Sequence, residues 1–184
     1  NDEKTGFYSY KKSTSINYIL ITSLIVIISI TAITLFKEKT EKIKWLFFLA
    51  IIIPIILTTI YMASSTIYLN LISETKGPVH WHADFEIWNC GKKVDLIDPK
   101  GLSNRVGTPV LHEHGDDRIH VEGVVVGKWD VDLRTFFKVV GSTLEEDYFY
   151  ISTHEGYEEM SDGNLCYGQE GKLQVFLYKI KNPE

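Results

Sequence analysis

The chain has 184 residues, of which 45% are apolar, and its formal net charge is −5 at pH 7. These averages hide two different halves. Residues 1–72 carry 7 Lys against 4 acidic residues, a balance of +3, whereas residues 73–184 carry 12 Lys and Arg against 20 acidic residues, a balance of −8. The apolar first half excludes a simple soluble enzyme, and the acidic second half excludes a nucleic-acid-binding protein, because phosphate partners require basic surfaces.

Two long stretches near the N-terminus contain no Asp, Glu, Lys, Arg or His. Ile16–Phe36 has 21 residues and Trp45–Ile72 has 28. About 20 helical residues cross a hydrocarbon core of roughly 30 Å, so each stretch predicts a transmembrane helix. The second is longer than a span requires, and we expect a kink at Pro54. The lack of intramembrane charge favours an anchor over a transporter.

Polar side chains within these stretches have two interpretations. They could bond a partner helix, or, as the favoured interpretation, their own backbone. The residues concerned are Asn17, Thr22, Ser23, Thr58, Thr59, Ser64, Ser65 and Thr66.

The link Lys37–Lys44 carries four lysines in eight residues, and the positive-inside rule places it in the cytoplasm. Both chain termini then lie outside, although the basic N-terminal flank, residues 1–15, opposes this orientation. We therefore predict a two-pass cell-membrane protein, in contact with lipid, whose C-terminal domain is extracytoplasmic.

From Gly77 onward the pattern changes to alternation with period two, which predicts a half-buried strand over Val79–Ile87. Its polar positions are His80, His82, Asp84 and Glu86. Residues 89–92 indicate a turn, Lys93–Ile97 a returning strand, and Asp98–Pro109 a loop.

A second hairpin is predicted over Leu111–Glu122. A three-residue loop at Gly115–Asp117 pairs His112 with His120 and His114 with Arg118. This register puts Leu111, Ile119 and Val121 on one face. The neighbouring acidic residues Asp116 and Asp117 are interpreted as a solvated turn.

Further along, Asp130 or Asp132 can cap a short helix that reaches Val140 and ends at Gly141. Strands are predicted over Asp147–Thr153 and Lys172–Ile180. The fold class is therefore α+β: a transmembrane helical hairpin at 16–72 (16–36 and 45–72), then a small, mainly β extracytoplasmic domain at 73–184 with one short helix.

Cys90 and Cys166 are the only cysteines, and both lie in the outer domain. An even pair in an oxidising compartment predicts a disulfide bond. Two buried thiols or thiolate metal ligands are the alternatives.

Five of the six histidines form two close groups, which suggests a metal site. A His-x-His pair on a strand projects both rings from one face, and two such pairs on neighbouring strands converge. The predicted ligands are His80, His82, His112, His114, His120 and Glu122. The alternatives are a pH-sensitive histidine patch or a hydrogen-bonded polar core.

Imidazole and carboxylate donors suit Cu(II) or Zn(II), whereas the scarcity of available sulfur disfavours Cu(I). An open coordination position would permit metal-bound hydroxide, with Glu122 or Glu113 as general base. A saturated site would be structural or serve storage.

The strings HWHADFEIWNCGKKVDL, GTPVLHEHGDDRIHVEG and DLRTFFKVVG resemble an uncharacterised family of membrane-anchored extracytoplasmic domains in archaea and bacteria. The resemblance covers roughly residues 77–141. It implies that the six ligands named above form a site, without naming a reaction.

We therefore expect a membrane-anchored, extracytoplasmic metal-binding protein that is not an enzyme by itself. It would be an accessory subunit of a larger membrane complex, with other membrane-protein subunits as partners, or a metal-handling module. The rival hypotheses are a metal-dependent hydrolase or lyase and a purely structural subunit.

Overall fold

The computed structural model describes residues 2–35 and 40–179, with side chains described from residue 14 onward. The chain divides into two compact units, Asn1–Ile72 and Ser73–Glu184. This division matches the contrast between the apolar and acidic halves of the sequence.

The first unit contains two long helices, α1 (Asp2–Leu35) and α2 (Glu41–Ile72). Their segments Thr14–Leu35 and Glu41–Ile72 are long and apolar enough to cross a membrane, with mean hydropathies of 2.4 and 2.5. Both predicted spans are helical, although Phe36 lies outside the described residues. The helices also extend further than expected, since α1 includes most of the predicted flank and α2 begins within the predicted link.

The polar side chains of this unit make both kinds of hydrogen bond considered from the sequence, to the partner helix and to their own backbone. Thr22 of α1 and Thr58 of α2 share a hydrogen bond between their hydroxyl oxygens, which are 2.6 Å apart. By contrast, Thr59 and Thr66 donate to carbonyl oxygens one helical turn back in α2. Hydroxyl groups therefore link the two helices at Thr22 and Thr58, whereas at Thr59 and Thr66 they satisfy the backbone of their own helix.

The second unit is mainly β. An antiparallel sheet has the strand order β1-β6-β5-β4 and is built from Pro78–Asp84 (β1), Val106–Gly107 (β4), Leu111–Glu113 (β5) and Arg118–Val124 (β6). Strand β6 therefore lies between β1 and β5. The predicted pairing of His112 with His120 is confirmed, together with Leu111 opposite Val121.

The first predicted strand differs from expectation in two respects. It ends at Asp84, and the chain resumes as β2 (Ile87–Asn89) after a break. It is also an edge strand, and Trp81 and Ala83, on the face for which the alternation predicts burial, are exposed. Only Val79 at its start is partly buried against the core.

Strand β2 forms a hairpin with β3 (Lys92–Val94), so the turn at residues 89–92 is confirmed. Its central residues Cys90 and Gly91 have φ of 48° and 80°, which is the conformation of a tight two-residue hairpin. The loop predicted over Asp98–Pro109 contains the short strand β4, which the sequence pattern did not indicate.

The predicted helix is confirmed as α3 (Leu133–Val139), preceded by a 3₁₀ turn at Lys128–Val131. Asp132 is its N-cap and accepts a hydrogen bond from the Thr135 amide at 2.7 Å. The apolar face of α3 places Phe136 and Phe137 in the core beside Leu111 of β5.

A third sheet contains β7 (Thr143–Leu144), β8 (Tyr148–Thr153) and β9 (Gly156–Ser161). Strand β8 confirms the prediction at Asp147–Thr153. The prediction over Lys172–Ile180 is wrong for residues 172–179, which form no strand, while residue 180 lies outside the described residues.

The short hairpin of β10 (Leu165–Cys166) and β11 (Gln169–Glu170) carries the second cysteine. Cys166 is disulfide-bonded to Cys90, with the two Cα atoms 5.2 Å apart. The predicted disulfide is therefore present and joins this hairpin to the β2–β3 turn.

Candidate metal centre

The sheet order brings the predicted ligands onto one face. Strand β6 contributes His120 and Glu122, because alternate residues of a strand point to the same side. On its two flanks, His82 of β1 and His112 of β5 both lie opposite His120, while His80 lies opposite Glu122. Neighbouring strands therefore converge on the centre as the sequence predicted.

Four of these residues form a compact set that we call the inner group. One donor atom from each lies within 4.8 Å of the others; the members are His112, His114, His120 and Glu122. Within the group, the Nε2 atoms of His112 and His114 are 3.1 Å apart. The rings of His112 and His120 lie nearly parallel, with centroids 5.4 Å apart.

The remaining two histidines, His80 and His82, form what we call the outer pair. Their Nε2 atoms are 3.0 Å apart. The pair forms a second set with His120, again within 4.8 Å. His120 thus belongs to both sets.

Spacings of this size suit metal coordination. When zinc–nitrogen bonds of about 2.0–2.1 Å make angles between 90° and the tetrahedral value, their nitrogens are about 2.9–3.4 Å apart. The Nε2–Nε2 distances of 3.0 and 3.1 Å fall within this range. The chain therefore holds two pairs of donors at chelating distance.

Burial differs between the two sets. The side chains of His112 and His120 are 0% and 9% exposed, whereas that of His80 is 64% exposed. The Nδ1 atoms of His112 and His120 are buried without a partner among the described residues. A buried ring nitrogen of this kind is expected to bond a water or an ion, and it is a different atom from the Nε2 nitrogens whose spacing defines the two pairs.

The backbone explains how His112 becomes buried. Gly107 of β4 lies opposite His112 and has φ of +115°. A Cβ atom at this position would lie only 2.7 Å from the carbonyl oxygen of Leu111. Glycine therefore allows β4 to approach β5 closely and to cover His112.

Two of the clustered histidines have pKa values lowered in the direction that favours metal binding. Burial lowers the pKa of His112, and the carboxylate of Glu122 only partly opposes this effect. Desolvation and then the nearby charge of His120 lower the pKa of His82. Both shifts favour the neutral imidazole, which is the form that binds metal.

One histidine of the inner group also has its tautomer fixed. His114 Nδ1 donates a hydrogen bond to the carbonyl oxygen of Asn104. In the neutral ring, this leaves the lone pair on Nε2, which faces His112. Outer contacts of this type orient metal-binding histidines.

Two acidic residues have roles that the sequence did not indicate. Asp116, interpreted as part of a solvated turn, has both carboxylate oxygens 3.1–3.2 Å from His120 Nε2. Glu113 is buried, and one of its oxygens accepts hydrogen bonds from the amides of Gly115 and Asp116. The sequence signal for both was their position in a tight turn, where short-range side-chain-to-backbone bonds are common.

The other candidate carboxylates of this face are engaged elsewhere. Asp84 lies 2.6 Å from the guanidinium of Arg118, and Glu86 accepts from the indole of Trp88. His154, which was not assigned to the site, pairs with Asp98 at 2.8 Å. Of the carboxylates that the sequence placed on this face, Glu122 is therefore the one that lies among the clustered histidines, and Asp116 of the turn is a second carboxylate in contact with His120.

Comparison of the chain with protein-family models, with curated proteins and with solved structures finds no match. The resemblance described from the sequence motifs stays a prediction. The class of protein is defined by its fold and geometry alone: two apolar helices capable of spanning a membrane, followed by a β domain whose histidines could hold a metal ion.

Proposed function

We propose that this protein is a membrane-anchored metal-binding protein whose β domain takes up Zn(II) or Cu(II). The observation that carries the proposal is the inner group, in which three imidazoles and one carboxylate gather within 4.8 Å. Neutral nitrogen donors with a carboxylate suit both metals. The antiparallel sheet supports this group from two adjacent strands, with His112 on β5 and both His120 and Glu122 on β6, while His114 directly follows β5.

We further propose that both helices cross the membrane and that the β domain lies outside the cytoplasm. The lysine-rich link between them supports this orientation through the positive-inside rule. The disulfide between Cys90 and Cys166 supports it independently, since such bonds persist in oxidising compartments.

Metal handling is favoured over catalysis. Glu113, one of two carboxylates considered as a general base, is buried and is used by the turn at Gly115 and Asp116. The other, Glu122, is itself a member of the ligand set. We therefore propose an accessory or metal-handling role beside other membrane proteins. The anchor would keep the site at the membrane and so raise its effective concentration for these partners.

Elemental analysis tests the proposal. The full chain is purified in detergent without a histidine tag, exchanged into metal-free buffer after loading, and analysed for zinc and copper. At least one equivalent per chain is expected for the parent and for the control His154→Ala, whose ring lies outside both sets. A parent that retains no metal, or a His112→Ala/His114→Ala variant that retains as much as the control, would overturn it.

A further inference from the structure

We infer that the centre holds two metal ions bridged by Glu122, an inference that rests on the proposed metal binding. The starting point is the division of the donors into two sets. Among the described residues, the outer pair His80 and His82 does not join His112 and His114 in a single set within 4.8 Å. Donors bound to one ion at about 2.2 Å are at most about 4.4 Å apart, so one ion does not reach both pairs.

Each pair is already spaced as a chelate. The Nε2 atoms are 3.0 Å apart in the outer pair and 3.1 Å apart between His112 and His114. Two chelating pairs on opposite flanks of β6 therefore define two positions for metal ions. A single site in this geometry would leave at least one histidine of these pairs outside the coordination sphere.

Glu122 connects the two positions. Its Oε1 atom lies 3.0 Å from Nε2 of His80, whereas its Oε2 atom lies 3.9 Å from Nε2 of His112. Each carboxylate oxygen thus faces a different pair. A carboxylate presented in this way is suited to bridge two ions about 3.5–4 Å apart.

The two positions differ in their surroundings. The inner ion would be bound by His112, His114 and His120 with one oxygen of Glu122, and two of these histidines, His112 and His120, are buried. The outer ion would be bound by His80 and His82 with the other oxygen of Glu122, which lies 3.0 Å from His80, at the exposed edge strand β1; His120, which belongs to both sets, would stay with the inner ion. We therefore expect the inner position to fill first and the outer position to bind more weakly, with water completing its coordination.

Titration of the full chain in detergent with Cu(II) separates the outcomes, with bound copper counted by native mass spectrometry. The parent and His154→Ala should bind two ions in two steps. His80→Ala/His82→Ala should bind one ion at unchanged first-step affinity, and because both side chains are exposed, this variant should keep the parent's fold. Electron paramagnetic resonance adds a second readout, because a bridged pair of Cu(II) ions couples magnetically.

The first equivalent should give a normal Cu(II) spectrum, and the second should reduce the integrated signal to well below two spins. His80→Ala/His82→Ala should show only the isolated signal. One ion per parent chain, with the same stoichiometry in this double variant, would overturn the two-ion centre and leave the proposed function standing. Two uncoupled ions would overturn the bridge, whereas no bound copper or zinc would overturn the proposed function itself.

Discussion

His112 of β5 lies directly opposite His120 of β6, and their rings stack with only 9° between the ring planes. This pairing depends on the turn that joins the strands. A shift of the register by one residue would carry one histidine to the opposite face of the sheet, because side chains alternate along a strand. The turn therefore controls whether the inner group assembles.

Glu113 is expected to hold this turn. One of its oxygens accepts from the amides of Gly115 and Asp116, and its side chain is buried. Glu113→Ala should lower the free energy of unfolding by about 1–3 kcal/mol, because the shared acceptor of two partly buried hydrogen bonds is lost. Glu113→Gln keeps an acceptor and should cost less.

Thermal unfolding of the metal-free chain in detergent, followed by near-ultraviolet circular dichroism, checks this difference. Glu86→Ala, which removes an exposed carboxylate outside the turn, is the matched control. Equal losses for the Ala and Gln variants of Glu113 would contradict the role assigned to its oxygen.

The sequence predicts which face of a strand a residue occupies better than it predicts which strands pair with each other. The pairing of His112 with His120 follows from alternation and a short turn, both of which are local. The pairing of β1 with β6 joins residues nearly forty positions apart, such as His82 and His120, and no local pattern specifies it. Clustering in the sequence therefore predicts which histidines lie close together, whereas their division into two sets within 4.8 Å is visible only in the structure.

Two segments differ from the sequence prediction because strand pairing is not a local property. Residues 172–179 alternate well enough to suggest a strand, but a strand requires a hydrogen-bonded neighbour, which periodicity does not supply. Conversely, Val106–Gly107 is too short for a periodic signal and is a strand only because β5 lies beside it. The contact of Asp116 with His120 arises from chain reversal rather than from spacing on a strand, so alternation along the sequence does not predict it.

Gly107 provides a test of how closely β4 must approach the centre. Its positive φ is unfavourable for any residue with a side chain. In addition, an added Cβ would lie only 2.7 Å from the carbonyl oxygen of Leu111. Gly107→Ala should therefore destabilise the chain and weaken Cu(II) binding by displacing His112. Gly101 is a matched control, since its φ is +67° but its Cβ would meet no atom within 4 Å.

Alanine at the φ of Gly101 carries a backbone strain of about 1 kcal/mol, and at the φ of Gly107, which lies outside the left-handed region, the strain is larger, so the difference between the variants reports this extra strain together with the steric clash. Thermal midpoints and Cu(II) affinities should fall further in Gly107→Ala than in Gly101→Ala. The same midpoint and affinity in both variants would show that β4 tolerates a wider separation from β5.

Asp132 is expected to stabilise α3 through its cap. Its carboxylate accepts from the amide of Thr135 at 2.7 Å. Asp132→Ala should lower the free energy of unfolding by about 1 kcal/mol, whereas Asp132→Asn should retain most of the stability because asparagine also caps helices well. Unfolding midpoints of the two variants check the ranking, and an asparagine variant as unstable as the alanine variant would contradict it.

The disulfide between Cys90 and Cys166 should contribute more stability than any of these single side chains. It closes a separation of 76 residues and joins the β2–β3 turn to the β10–β11 hairpin. In the chain-entropy account, a loop of this length contributes about 4 kcal/mol by restricting the unfolded chain.

Cys90→Ser/Cys166→Ser should therefore unfold at a clearly lower temperature than the parent, in metal-free buffer and without a reductant that could itself bind metal. His112, His114 and His120 lie within the closed loop, so the same variant should also bind its first Cu(II) ion more weakly wherever unfolding competes with binding. The single variant Cys90→Ser separates loss of the bond from loss of both thiols. A double variant with the parent's unfolding midpoint would show that the closed loop adds no stability to the β domain.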